Sequence, residues 1–207
     1  MAKFQIGDAT DQGLCVAIHH EFLRCDEAFK EFAASAEASI LTGENRRLAY
    51  KTYNAYARFV HHLYEFLLGA VARDRNDTEP LKHLVHKEHE MAEIYITGIA
   101  QRILTNKREA ILGGTAPVWE NHISVYPEKV PLEFAQEFRR LRNTASGHVK
   151  HQRAGLSLTD FYDKYHMYLY MMYANSMHMW GTIGDEFPNL GEITAFSVMI
   201  KEKLPKS

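Results

Sequence analysis

Proline falls at only six places in this chain, at positions 80, 117, 127, 131, 188 and 205, so four long stretches must fold without the residue that interrupts helices. All of them carry apolar side chains at helical spacing. In the first, Ile18, Phe22, Cys25, Phe29, Phe32, Ala36 and Ile40 recur at steps of four and three, with Asp8, Thr10 or Asp11 to cap the start and Gly43 to stop it. The pattern predicts an amphipathic helix of about eight turns. From about Glu44 to Arg73, Tyr53, Tyr56, Val60, Leu63, Leu67 and Val71 form one stripe and Ala55, Phe59, Phe66 and Ala70 an adjoining one. A face that wide requires more than one neighbour. A third helix opens at Asp77 or Thr78 before Pro80 and keeps its period through Val85, Tyr95, Ile99 and Ile103 to Gly113-Gly114.

Between about residues 105 and 130 the periodicity fades, and glycines and prolines mix with Trp119, Ile123, Val125 and Tyr126. This predicts a packed excursion with a short strand at Ile123 to Tyr126. A fourth helix is expected from near Pro131, with Phe134, Phe138, Leu141, Ala145 and Val149 inward, until Gly155 breaks it. A fifth follows Ser157 or Thr159, with Phe161, Tyr165, Leu169, Met172, Ser176, Met179 and Ile183 on one face, and a last short one covers Leu190 to Lys203. No repeat or heptad run interrupts this series. The expectation is a single all-α domain over residues 1–207: an antiparallel bundle of about five long helices with one irregular excursion before the fourth.

Composition excludes several classes. Hydrophobic residues make up 46% and charged residues 24%, the mix of an ordinary globular chain, and the formal charge of -2 rules out a globally basic nucleic-acid coat. The first ten residues lack the apolar run of an export signal, and no window is apolar enough to span a bilayer, so a cytoplasmic chain without membrane contact is expected. Cys15 and Cys25 lie ten apart on one helix, too far for a disulfide, and read as reduced thiols.

The 12 histidines invite a metal reading. His83, His86 and His89 step by three along the third helix among Lys82, Lys87, Glu88 and Glu90, but the stripe drifts and the chain has no E-x-x-H pair, so it reads as a solvated charged face. Two isolated cysteines offer no zinc spacing, and neither a metal nor a cofactor is called for. The run from Tyr165 to Trp180, dense in Met and Tyr, reads as core or dimer interface. No G-x-S-x-G, P-loop or G-x-G-x-x-G occurs, and Ser146 and His148 point to different sides of a helix. Asn54, Arg58, His61 and Glu65 make one polar edge on the second helix, either a paired surface or the wall of a groove.

One segment stands apart. Phe138 to Thr159 holds Arg139, Arg140, Arg142, Lys150, Arg153, His148 and His151 and no Asp or Glu, a local positive field in a chain of net negative charge. Inside it runs Arg142-Asn143-Thr144-Ala145-Ser146-Gly147-His148. Guanidinium offers a rigid fork to phosphoryl oxygens, and imidazole exchanges a proton near neutrality without a metal. Those groups suit attack by a ribose 2'-hydroxyl on its own phosphodiester: His148 takes the proton, Arg142 stabilises the phosphorane, and Asn143 orients phosphate or imidazole. On a straight helix Arg142 and His148 would point about 120° apart across about 9 Å of rise, which calls for a loosened turn at Gly147 and a second protomer to complete the site.

The stretch R-N-x-x-x-x-H resembles the motif of the HEPN superfamily of small all-α proteins. That resemblance implies a metal-independent endoribonuclease acting as a homodimer, of the kind found in toxin-antitoxin and phage-defence systems, with RNA as substrate and an antitoxin or sensor as regulator. It makes Arg142, Asn143 and His148 the catalytic set; the basic segment then offers Arg139, Arg140, Lys150, His151 and Arg153 as RNA contacts, and the polar edge Asn54, Arg58, His61 and Glu65 as groove wall. One branch carries a modified tyrosine two positions past the histidine. Lys150 stands there in this chain. A non-catalytic helical module binding RNA, nucleotide or protein is the alternative expectation.

Overall fold

Asp8 acts as the cap its place before the first apolar stripe suggests: its Oδ1 accepts from the Asp11 N–H at 2.8 Å, opening α1 over Ala9–Thr42. Gly43, at φ 82°, ends it in a conformation that a side chain would strain. Asn45 repeats the capping device on the Leu48 N–H at 2.8 Å, and α2 runs over Arg46–Asp74. The computed structural model describes residues 3–43, 45–79, 88–147 and 157–177.

Helices α1 and α2 are antiparallel, and a ladder of polar pairs records their register. Arg73 Nε meets Asp11 at 2.9 Å, His62 Nδ1 meets Glu21 at 2.6 Å, and Arg58 pairs with Glu31, so numbers rise on one helix as they fall on the other. Gly69 lets the backbones close: a Cβ added there would lie 2.9 Å from Ile18 Cγ1. The wide face of α2 is buried as its two stripes require, with Phe59, Val60, Leu63, Phe66 and Leu67 fully enclosed. It packs against α1 and touches every other helix described.

Helix α3 covers Glu88–Leu112, and Gly114 at φ 69° lies just past its end. The expected opening at Pro80 lies outside the described residues. The excursion begins later than its composition suggested, because Thr105 to Leu112 stay helical. Their polar side chains hold the loop instead: Lys107 pairs with Glu120, and Arg108 donates to the Tyr126 carbonyl. Glu120 also accepts from the Tyr126 hydroxyl at 2.5 Å, while Gln101 ties down Glu128 and Val130 at 3.0 and 2.9 Å. The strand expected at Ile123 to Tyr126 is a 3-10 turn over Ile123–Val125, closed by local bonds such as Tyr126 N–H to the Ile123 carbonyl at 3.0 Å. A strand needs a partner, and there is no named strand among the described residues; only an isolated bridge joins Lys3 to Asp77.

The fourth helix leaves α geometry after Arg142; Val149 and Gly155, expected to continue and to end it, lie outside the described residues. Helix α4 occupies Phe134–Arg142, and Asn143–Gly147 widens into a π turn before the described segment ends. Pro131 lies in the turn before it, its carbonyl accepting from Phe134 N–H at 3.1 Å. Helix α5 spans Leu158–Ser176 from a Ser157 cap, and the face read from its sequence is the buried one: Phe161, Tyr165, Leu169, Met172 and Ser176. Met179, Ile183 and the short helix expected at Leu190 to Lys203 fall outside the described residues. The five helices pack against one another as an all-α bundle. Cys15 and Cys25 are both free, and no described helix is long and apolar enough to cross a membrane.

Within its described part the Met and Tyr run of α5 forms core, with Tyr165, Tyr168, Met171, Met172 and Tyr173 buried. His166 sits among these rings, its Nδ1 3.2 Å from the Tyr56 hydroxyl. Burial holds the imidazole down at about 4, and burial likewise pushes the Tyr56 phenol far above its ordinary value, so a neutral ring accepts from a protonated hydroxyl. The unfolded chain therefore binds a proton here that the folded chain refuses. Stability from this group is complete above pH 6.5 and falls as pH drops from there towards 4. Urea titrations across that window are expected to lose on the order of 2 kcal/mol through His166, and His166→Phe is expected to flatten that part of the profile.

Candidate functional site

Arg142 closes α4, and three neighbours fix its guanidinium. Nη1 donates to Asn143 Oδ1 at 2.7 Å, Nη2 pairs with Glu65 of α2, and the group lies 5.5 Å from the centre of the Tyr64 ring. Nε is buried and meets no acceptor among the described residues. Tyr64 is itself enclosed, edge-on to Phe138 at 5.2 Å, and burial lifts its phenol to about 12 against the pull of Arg139 and Arg142. A planar cation over an aromatic face, with a carboxylate at one end and an amide at the other, loses little rotational freedom when it meets an oxyanion. Asn143, expected to orient phosphate or imidazole, here contacts the guanidinium.

The π turn changes the geometry expected of the motif. An i to i+5 turn does not follow the angular count of a straight α-helix, so the separation of about 120° does not carry over to residues beyond Arg142. Such turns are frequent at functional sites. His148, Lys150, His151 and Arg153 lie outside the described residues.

The acid-free segment is not acid-free in space. Arg139 of α4 binds Glu93 of α3 through Nη2 at 2.7 Å and Nε at 2.8 Å, Arg140 takes Glu137 at 2.6 Å, and Arg142 takes Glu65. Of these three, Arg140 is the exposed one, with 63% of its side chain accessible. Among the described residues, the three arginines of this segment are thus each met by a carboxylate from another helix or an earlier turn.

The polar edge of α2 divides between two places. Asn54 and Arg58 line an open groove of about 730 Å³ together with Ala145 of the π turn, while His61 and Glu65 lie farther along the helix, where Glu65 reaches Arg142. Arg58 bonds across to Glu31 of α1. The edge is therefore paired between helices, rather than along its own as an i,i+4 surface would be. The groove also holds Arg47 and Lys51, both exposed and in no ion pair among the described residues. Their signal was present in the sequence: Arg46 and Arg47 occupy the first turn of a helix, where the macrodipole disfavours positive charge. That unusual placement concentrates cationic character at one end of the groove.

His61, one turn before Glu65 on α2, is outside that groove lining. Its Nδ1 is buried with no hydrogen-bond partner among the described residues, and its ring lies 5.2 Å from that of His62. Burial holds its pKa below the usual imidazole value; the charges of His62 and Arg142 add to that, while Glu65 and Glu21 pull the other way. Comparison of the chain with protein-family models, with curated proteins and with solved structures finds no match.

Arg142 and Glu65 act on His61 with opposite sign, which gives the pair an independent reporter. Glu65→Gln is expected to lower the His61 pKa further and Arg142→Ala to raise it, both read from imidazole proton shifts in a pH titration. The double-mutant cycle of Glu65→Ala with Arg142→Ala is expected to return a coupling of about 1 kcal/mol for this partly exposed pair, measured by urea unfolding.

Proposed function

We propose that this chain is a metal-independent endoribonuclease of HEPN type, cleaving RNA as a homodimer in the manner of a toxin or phage-defence effector. The observation that carries the proposal is the guanidinium of Arg142, held by Asn143 and Glu65 above Tyr64 at the mouth of a π turn whose Ala145 lines a cationic groove. Arg47 and Lys51 supply backbone contacts the motif alone did not indicate. Asn54 and Arg58 serve as the groove wall, and the exposed Arg140, with Arg139, Lys150, His151 and Arg153, extends the phosphate-binding surface.

The chemistry needs no cofactor. His148 accepts the proton of a ribose 2'-hydroxyl as its oxygen attacks the adjacent phosphorus, and Arg142 takes the growing charge of the phosphorane oxygens. The 5'-oxygen leaves with a proton supplied by the second protomer's imidazole, giving a 2',3'-cyclic phosphate and a free 5'-hydroxyl. Phosphate entering the site takes the place of Glu65 on Nη2, while Asn143 and Tyr64 keep the guanidinium plane fixed. An antitoxin or sensor protein controls turnover in this reading.

A non-catalytic RNA-, nucleotide- or protein-binding module is the second reading, favoured by the fact that Glu65 already occupies Arg142. One experiment separates the two. Purified chain is incubated with total RNA in EDTA, beside its His148→Ala and Lys51→Ala variants and a substrate carrying a 2'-deoxy ribose at the scissile position. Cleavage with cyclic-phosphate ends is expected, with loss of at least about a hundredfold in His148→Ala at retained RNA affinity. Lys51→Ala is expected to weaken binding and shallow its salt dependence. Cleavage that survives His148→Ala or the 2'-deoxy substitution overturns the mechanism, and binding without any cleavage establishes the module.

A further inference from the structure

Where α1 and α2 cross, Glu21, His61 and His62 each offer a ligand atom, and these atoms lie within 4.8 Å of one another. All three side chains are half-buried. No short spacing in the sequence announces the set, since the carboxylate comes from one helix and the imidazoles from the next. His61 and His62 are consecutive on α2, about 100° apart around its axis, and the third donor comes from a neighbouring helix. Glu21 supplies it, with Oε1 2.6 Å from His62 Nδ1.

We propose that Glu21, His61 and His62 form a binding site for a divalent transition-metal cation of the zinc class. Two imidazoles and one carboxylate are the nitrogen and oxygen donors such a cation takes, and a fourth position is left for water. Ligand atoms at about 2.1 Å in a tetrahedron stand roughly 3.4 Å apart. A spread of up to 4.8 Å therefore closes by side-chain rotation, with Glu21 and His62 parting slightly from 2.6 Å. His61 has a buried Nδ1 with no hydrogen-bond partner among the described residues, and coordination through either ring nitrogen gives that imidazole a fixed orientation.

The surrounding charges permit a cation here. Arg24 lies 3.5 Å from the other Glu21 oxygen, and His61 feels both Glu65 and Arg142, so one carboxylate beyond the ligand set offsets one of the two guanidinium groups. The ion clamps α1 to α2 and takes no part in the transesterification, so the inference stands apart from the nuclease proposal. Ribonuclease activity in EDTA tests that proposal; metal affinity tests this one.

The test is calorimetric titration of the chelator-treated full chain with Zn²⁺ alone, paired with Co²⁺ absorption in the visible. One equivalent is expected to bind with a rise in melting temperature, and Glu21→Gln and His61→Gln are each expected to weaken the affinity by at least about tenfold. Glu21→Gln keeps an acceptor for His62, so its fold, checked by circular dichroism before metal is added, carries the test if His61→Gln proves unstable. His86→Ala serves as the control for the other histidine cluster and is expected to leave the affinity unchanged. Zn²⁺ affinity equal to wild type in Glu21→Gln, loss of affinity in His86→Ala instead, or no binding at millimolar Zn²⁺ overturns the assignment.

Discussion

The burial of α2 governs the rest of the molecule. Its apolar stripes are wide enough that α1 covers one flank while α4 and α5 cover others, and Phe59, Leu63, Phe66 and Leu67 are fully enclosed between them. A helix covered so widely has little free face for charge. Beyond its exposed first turns, many of its polar residues lie along the seams, where a partner on the neighbouring helix meets them. Arg58 finds Glu31, His62 finds Glu21, Arg73 finds Asp11 and Glu65 finds Arg142. The first three fix the register of α1 against α2. The fourth fixes the end of α4, so the orientation of the candidate guanidinium follows from the packing of a helix to which it does not belong.

That dependence explains what could be read from the chain alone. Periodicity and caps are local, and with them α1, α2 and the start of α5 came within a few residues of their bounds: Asp8, Asn45 and Ser157 each accept from the N–H three residues on. Local signals also failed where the outcome turned on partners elsewhere. Ala145 and Val149 continue the apolar spacing of α4, yet the helix leaves α geometry after Arg142, where its terminal arginine is bound to α2 and a glycine follows within the turn. Ile123 to Tyr126 has strand composition but no strand beside it, and Lys107 and Arg108 hold that loop against α3.

Charge was the least legible property. A segment free of Asp and Glu reads as a positive patch only if nothing folds against it, and here Glu93 and Glu65 arrive from α3 and α2. Conversely, Arg47 and Lys51 carry only the local signal of basic residues at a helix start, and become a cationic feature because the groove leaves them without counter-ions among the described residues. Sequence locates cations; the fold decides which remain available to a ligand.

Arg142 shows why a paired cation need not be a spent one. A phosphodiester and the Glu65 carboxylate each carry one negative charge, so exchange between them leaves the charge beside the guanidinium unchanged, and geometry decides it. The amide of Asn143 and the ring of Tyr64 do not compete for charge, and both stay in place while the acceptor changes. As it stands, Glu65 spares Arg142 the larger penalty of a part-buried and unpaired charge. Once displaced, the carboxylate remains on α2 one turn from His61, whose proton affinity it already raises. On the proposed reading, phosphate binding at Arg142 is therefore coupled through Glu65 to the charge of an imidazole at the α1 and α2 seam.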